Sequence, residues 1–338
     1  MLKKLVLFLV VVIAALVLVG FLLPSSAQVE RSTVIEAPVC TVFTQANGFA
    51  RFNEWSPWAE IDPNTVYTYE GPATGVGARM SWESEDPNVG TGSQEIVASE
   101  PYKTVKTKLD FGPNGVADAH FNLEPEGDNT RVTWGFQTDF GGNLIGRYMG
   151  LMFDKWIGAD YEKGLASLKA MTEAMPKTDW CHLDAEVVEV EPVTIAYVSG
   201  TSGFGSDEIA QALGAAFGQV VGFLAQNGLQ MEPSPVAIAR SAEDGVYAFD
   251  AGLPIDVMPQ EEVAADSPVQ IGHTQGGKVV RVRHKGPYSN LAGLYEPLDA
   301  LLAAHGLEKN GDSWEEYVSD PSQTPESEVI TNIYQPVS

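Results

Sequence analysis

Apolar residues follow three different patterns along the chain. The first is an unbroken run from Leu5 to Leu23 behind Lys3 and Lys4. A helix of that length matches the hydrocarbon thickness of a bilayer, and it lacks the polar face that a soluble surface helix would show. The basic flank predicts that the N-terminus stays cytoplasmic. Residues 1–28 are therefore expected to be a membrane address. The rest of the chain is expected on the periplasmic or extracellular side of an inner membrane, held by a single pass. Small residues in Pro24-Ser-Ser-Ala27 leave removal by a signal peptidase open, and either outcome exports the remainder of the chain.

The second pattern, over 29–174, has mostly period two. Val29 to Pro38 alternates as a strand, and Val39 to Gly48 reads as a short helix. Strands are expected near 65–69, 77–81, 92–98, 103–109, 117–124 and 129–136. A long helix from about Arg147 to Thr172 closes this unit, with Leu151, Met152, Trp156, Leu165 and Leu168 at spacings that fit one apolar face. Gly71, Gly75 and Gly77 do not form a dinucleotide loop and are expected at turns or bulges of a curved sheet.

A polar stretch, 175–190, reads as a linker to the third pattern, in 191–338. There a strand at 193–198 leads to a helix from Asp207 to Asn227, opened by Ser206-Asp207 and stopped at Asn227-Gly228, then to strands at 236–240 and 246–249. The same β-α-β-β order returns. Lys278 to Lys285 is a strand halted by Gly286-Pro287, Asn290 opens a helical segment, and Trp314 to Tyr317 and Val329 to Pro336 are strands. Alternation puts Glu315 and Tyr317 on one face of the short strand and Trp314 and Glu316 on the other. If the strand is covered, one of these two carboxylates must face inward.

These patterns give an α+β fold class: two globular units behind one transmembrane helix. The formal net charge of −25 and the pI near 4.4 argue against nucleic acid, which needs clustered Lys and Arg to neutralise phosphate. Chemistry-bearing motifs are few. Phe204 breaks the nucleophile-elbow spacing after Gly200-Thr-Ser-Gly203, and the five histidines lack metal-ligand spacing. No metal or cofactor is expected. Cys40 and Cys181 are the two cysteines, and an exported chain permits a disulfide between them.

Two resemblances sharpen this. His284-Lys-Gly-Pro-Tyr288, Trp314-Glu-Glu-Tyr317 and Ile330 to Pro336 resemble the GyrI-like family, the effector-binding domain of multidrug-sensing regulators. That resemblance implies a duplicated β-α-β-β fold with a ligand cleft. It implies Glu315, not Glu316, as the cleft acid; Tyr288, Trp314 and Tyr197 are candidate ring walls that could equally be core, and Tyr317 is a further ligand-binding candidate. Ile35-Glu-Ala-Pro38, Trp55-Ser-Pro-Trp58, Gly75-Val-Gly77, Thr130 to Trp134 and Gly164 to Leu168 resemble the SRPBCC superfamily of START-like lipid carriers and polyketide cyclases. That implies a helix-grip fold whose sheet curls round the long helix, with Trp156 as a candidate contact to a lipophilic ligand.

The leading functional expectation is a membrane-anchored exported protein whose two domains each bind a small lipophilic molecule, the second recognising positive charge or a polarised group at Glu315. The first alternative is a small-molecule hydrolase with Glu315 as general base and Tyr288 polarising the substrate. The second is an envelope interaction module that binds no ligand.

Overall fold

A computed structural model describes residues 2–231, 234–259, 263–264 and 266–338. The chain divides into two compact units, Met1–Cys181 and His182–Ser338. Each is α+β, built on one antiparallel sheet.

The first unit begins with α1 (Leu2–Leu22), whose side chains are exposed along its length; of its residues only Gly20 is buried. After β1 (Ser26–Ile35) and α2 (Val39–Ala46) come β2 (Val66–Glu70), β3 (Arg79–Glu83), β4 (Thr91–Glu100), β5 (Thr104–Asp110), β6 (Val116–Glu126) and β7 (Asn129–Asp139). Consecutive strands from β2 to β7 pair as a meander, and β1 adds beside β7 to complete seven strands. Gly71, Gly75 and Gly77 all have positive φ in the connection from β2 to β3, as their turn role required.

The long closing helix is in fact two: α3 (Leu144–Gly150) and α4 (Phe153–Glu173), broken at Leu151-Met152. The reason lies in Gly146 and Gly150. Both are pressed against the Phe140 ring, which a Cβ at either position would meet at under 3 Å, and both are weak helix formers. Of the expected apolar face, Leu165 and Leu168 point inward, together with Gly158, Tyr161 and Thr172, whereas Leu151, Met152 and Trp156 are exposed. Gly164 lets α4 approach the sheet, since a Cβ there would stand 2.7 Å from the Trp134 ring. Arg31 on β1 ties the helix down through Glu162 at 2.6 Å and Asp154 at 3.0 Å.

Beyond α4 the chain turns back to the start of the unit. Cys181 is joined to Cys40 in the first turn of α2, with their α-carbons 5.3 Å apart, and the Trp180 indole N–H donates to the Thr41 hydroxyl. The expected linker 175–190 is thus shorter than its composition suggested. Its first residues are stitched to unit 1, and its last six form β8 (Ala185–Val190) of the second sheet. That strand escaped notice because it lies at an edge, largely exposed and bearing Glu186 and Glu189, the polar dress typical of edges.

The second unit continues with β9 (Thr194–Ser202), α5 (Ser206–Gln226), β10 (Val236–Glu243), β11 (Val246–Pro254), β12 (Gln270–His273), β13 (Gly277–Lys285), α6 (Tyr295–His305), β14 (Trp314–Tyr317) and β15 (Ile330–Pro336). The eight-stranded order is β12-β9-β11-β10-β14-β15-β13-β8. This is the duplication made visible. β9, β10 and β11 of one half mirror β13, β14 and β15 of the other, and the halves meet where β10 pairs with β14. The edge strands are exchanged: β8, at the start of the first half, pairs with β13, and β12, at the start of the second, pairs with β9. A run of 3₁₀ helix, Tyr288–Leu294, precedes α6.

Candidate functional site

β14 is only four residues long, yet it occupies the middle of the second sheet, between β10 and β15. Glu315 stands opposite Ala237 on one side and Ile333 on the other, and Ala237 in turn faces Ala251. Both alanines are buried in the core that α5 closes over this face of the sheet, and Phe217 and Tyr317 pack at the edge of that core.

The Tyr295 hydroxyl, from the first residue of α6, donates to Glu315 Oε1 at 2.9 Å, and the Tyr317 hydroxyl donates to Oε2 at 2.8 Å. Tyr288 and Phe217 each meet the Tyr317 ring edge to face, with centroids 5.3 and 6.1 Å away. Glu315 keeps partial access to solvent although protein surrounds it closely, as expected of a group at the bottom of a cleft. Burial pushes its pKa above the usual carboxylate value, and the two phenol donors oppose that rise only in part. No cationic side chain among the described residues neutralises it. Burial and the Glu315 charge also raise the phenols of Tyr295, Tyr317 and Tyr247, so these remain protonated donors at neutral pH.

The opposite face of β14 is different in kind. Trp314 stacks on Tyr334 with centroids 4.9 Å apart, and Glu316 accepts hydrogen bonds from the Tyr334 hydroxyl at 2.7 Å and from Asn332 at 2.9 Å. Tyr197 packs against that same cluster. Trp314 and Tyr197 therefore do not wall the Glu315 cleft, because alternation sends them through the sheet to its other side.

Of the residues expected at the site, Glu315, Tyr317 and Tyr288 come together and Trp314 and Tyr197 do not. Tyr288 makes no hydrogen bond to the carboxylate among the described residues; its ring also borders a cavity of about 340 Å³ with Pro287, Ser289, Pro321, Thr324, Glu326 and Val329. Tyr295, Tyr247 and Phe217 were missed. Alternation gives Tyr247 the same sheet face as Phe249 and Ala251, and this could have flagged it. Tyr295 carried no signal beyond its place at the head of a helix.

In the first unit the aromatic residues fill the space between sheet and helix. Trp134 stacks on Tyr161 at 3.9 Å and lies 5.0 Å from Phe121 and 5.5 Å from Trp55. Trp156, expected at a ligand, is about half exposed and outside this cluster. One polar atom stands out: the Trp55 indole N–H is buried without a hydrogen-bond partner among the described residues.

Residues 26–173 match the family described as polyketide cyclase / dehydrase and lipid transport, and residues 184–338 match the GyrI-like small molecule binding domain. No curated protein matches the chain significantly. Among solved structures, a hydrolase from Listeria innocua is 15% identical, covering 46% of this chain and 91% of its own, with a TM-score of 0.33. The EcmrR C-terminal domain is also 15% identical over 46% of this chain and 98% of its own, with a TM-score of 0.38. The Aha1 dimer from Colwellia psychrerythraea is 17% identical over 44% of this chain and 97% of its own, with a TM-score of 0.32. The chain thus consists of a domain of the polyketide cyclase and lipid-transport family followed by a domain of the GyrI-like small-molecule-binding family, behind an apolar N-terminal helix.

Proposed function

We propose that this is a membrane-anchored, exported protein that binds small lipophilic molecules, and that its second domain takes a lipophilic cation against Glu315. One observation carries the reading: a closely surrounded carboxylate, held by two phenols, ringed by aromatic side chains and lacking any protein cation among the described residues. Such a charge is costly to keep in a low-dielectric cleft, and a ligand cation would offset that cost. Ring faces favour the same charge and supply apolar contact.

Retention of α1 is part of this proposal: the helix leads directly into β1, where the Phe140 N–H donates to the Ser25 carbonyl and Ser26 and Ala27 pair with Asp139 and Thr138. Export agrees with the Cys40–Cys181 bond, since disulfides persist in oxidising compartments.

The test is a calorimetric titration of the full chain in detergent with tetraphenylphosphonium and with the neutral triphenylphosphine oxide. The cation is expected to bind more tightly at neutral pH, with the preference shrinking as Glu315 is protonated in acid. Equal binding of the two probes, or none, would remove the basis for a cation site.

A further inference from the structure

The outer end of α1 is not a free tether, because α3 is packed along it. Tyr148 donates its hydroxyl to the Leu16 carbonyl at 2.6 Å. Gly20 is the close-approach point, where a Cβ would meet Tyr148 at 3.2 Å and Leu144 at 3.3 Å. Arg147 donates to the carbonyls of Phe21 and Leu23, at 3.2 and 3.1 Å, and so caps the last turn of the helix, whose carbonyls have no partner within it. A membrane helix end needs such a cap, since lipid offers no hydrogen bonds.

These contacts fix a depth. At about 1.5 Å per residue, Leu16 lies roughly 9 Å inside the end of α1 at Leu22. The helix has 21 residues, Leu2–Leu22. That is about 30 Å, equal to the hydrocarbon core, so it has no spare length with which to rise out of the bilayer. If α1 spans, whatever touches Leu16 and Gly20 must lie in the lipid as well.

The surface that α3 and the start of α4 turn outward suits that position. Ile145 is 74% exposed, Leu151 58%, Trp156 49%, Met149 48% and Met152 38%. From Phe140 to Phe153 the only charged residue is Arg147, in a chain whose formal net charge is −25. Trp156 stands one turn after Met152, on the same side of the helix, and tryptophan is enriched at the membrane interface. Water is a poor solvent for this patch, and the contacts to α1 put it beside a bilayer.

We propose that α3 and the α3–α4 corner are an interfacial membrane-binding element: Ile145, Met149, Leu151, Met152 and Trp156 enter the outer leaflet beside α1 and seat the first domain on the lipid surface. The occupant of the patch is the bilayer. This rests on the reading of α1 as a retained membrane-spanning helix.

The test is quenching of tryptophan emission by lipids brominated high on their acyl chains, with the full chain reconstituted in vesicles of phosphatidylcholine and phosphatidylglycerol, and with carbonate extraction as a separate readout. The wild-type chain is expected to resist extraction and to lose at least about twice as much emission as Trp156→Phe, in which the interfacial indole is gone. Ile145→Glu with Met149→Glu is expected to reduce quenching to the Trp156→Phe level while the chain still resists extraction. Resistance to extraction with equal quenching of wild type and Trp156→Phe would overturn the seating and leave the anchor standing. That outcome includes the case in which a second copy of the chain, rather than lipid, covers the patch. Extraction of the wild-type chain by carbonate would overturn the anchor and the seating together.

Discussion

Both units line one face of an antiparallel sheet with aromatic rings, and they use them differently. In the first, Trp55, Phe121, Trp134 and Tyr161 pack on one another between sheet and α4, so ring meets ring and the core has no charge to satisfy. In the second, Tyr288, Tyr295, Tyr317 and Phe217 gather near one carboxylate, and two of the phenols direct their hydrogen bonds to it. Rings that close on each other report packing. Rings that close on an unneutralised charge suit recognition, and under the proposed function a ligand cation completes the arrangement.

The contrast predicts that damage to the first cluster costs stability and damage to the second costs binding. The largest effect is expected from Trp134→Ala, which empties the centre of the first core and should lower the stability of that unit by about 3–5 kcal/mol, read as a separate transition in denaturant. Binding of tetraphenylphosphonium should survive it at low denaturant. If that variant abolished binding without unfolding the first unit, the division of labour would be wrong. Cys40→Ser with Cys181→Ser opens a loop of 141 residues. It should cost the first unit roughly 2–5 kcal/mol, and reduction should reproduce the loss in the wild-type chain but not in the variant.

A smaller effect concerns pH. Glu315 has its pKa raised in the folded state, so folding binds its proton more tightly than the unfolded chain does. Its contribution is fully present below the ordinary glutamate pKa and is lost as pH climbs through the raised value. Glu315→Gln should therefore make the empty second unit more stable than wild type at neutral pH, by about 1 kcal/mol given partial solvent access, and the difference should vanish in acid. Glu316→Gln should shift stability least, by about 0.5 kcal/mol or less, because Tyr334 and Asn332 can still donate to the amide oxygen.

The sequence carried the order of elements well, because strands of period two and the repeated β-α-β-β order depend only on local pattern. It carried the partition of Glu315 and Tyr317 from Trp314 and Glu316 for the same reason. It did not show the exchanged edge strands β8 and β12, since an edge strand needs no apolar alternation and its partner lies in the other half of the domain. Nor did it show Tyr295 at the carboxylate, which depends on how α6 sits over β14. Trp156 did not join the buried face because it stands nine residues before Leu165 on the unbroken helix α4, which at about 100° per residue is half a turn away from the core-facing side.

The most direct measurement of the central claim is the affinity of the wild-type, Glu315→Gln and Glu316→Gln chains for tetraphenylphosphonium at neutral pH. Glu315→Gln is expected to weaken binding about tenfold or more, and Glu316→Gln to leave it within roughly twofold of wild type. Equal affinities of wild type and Glu315→Gln, or a larger loss at Glu316, would contradict the account.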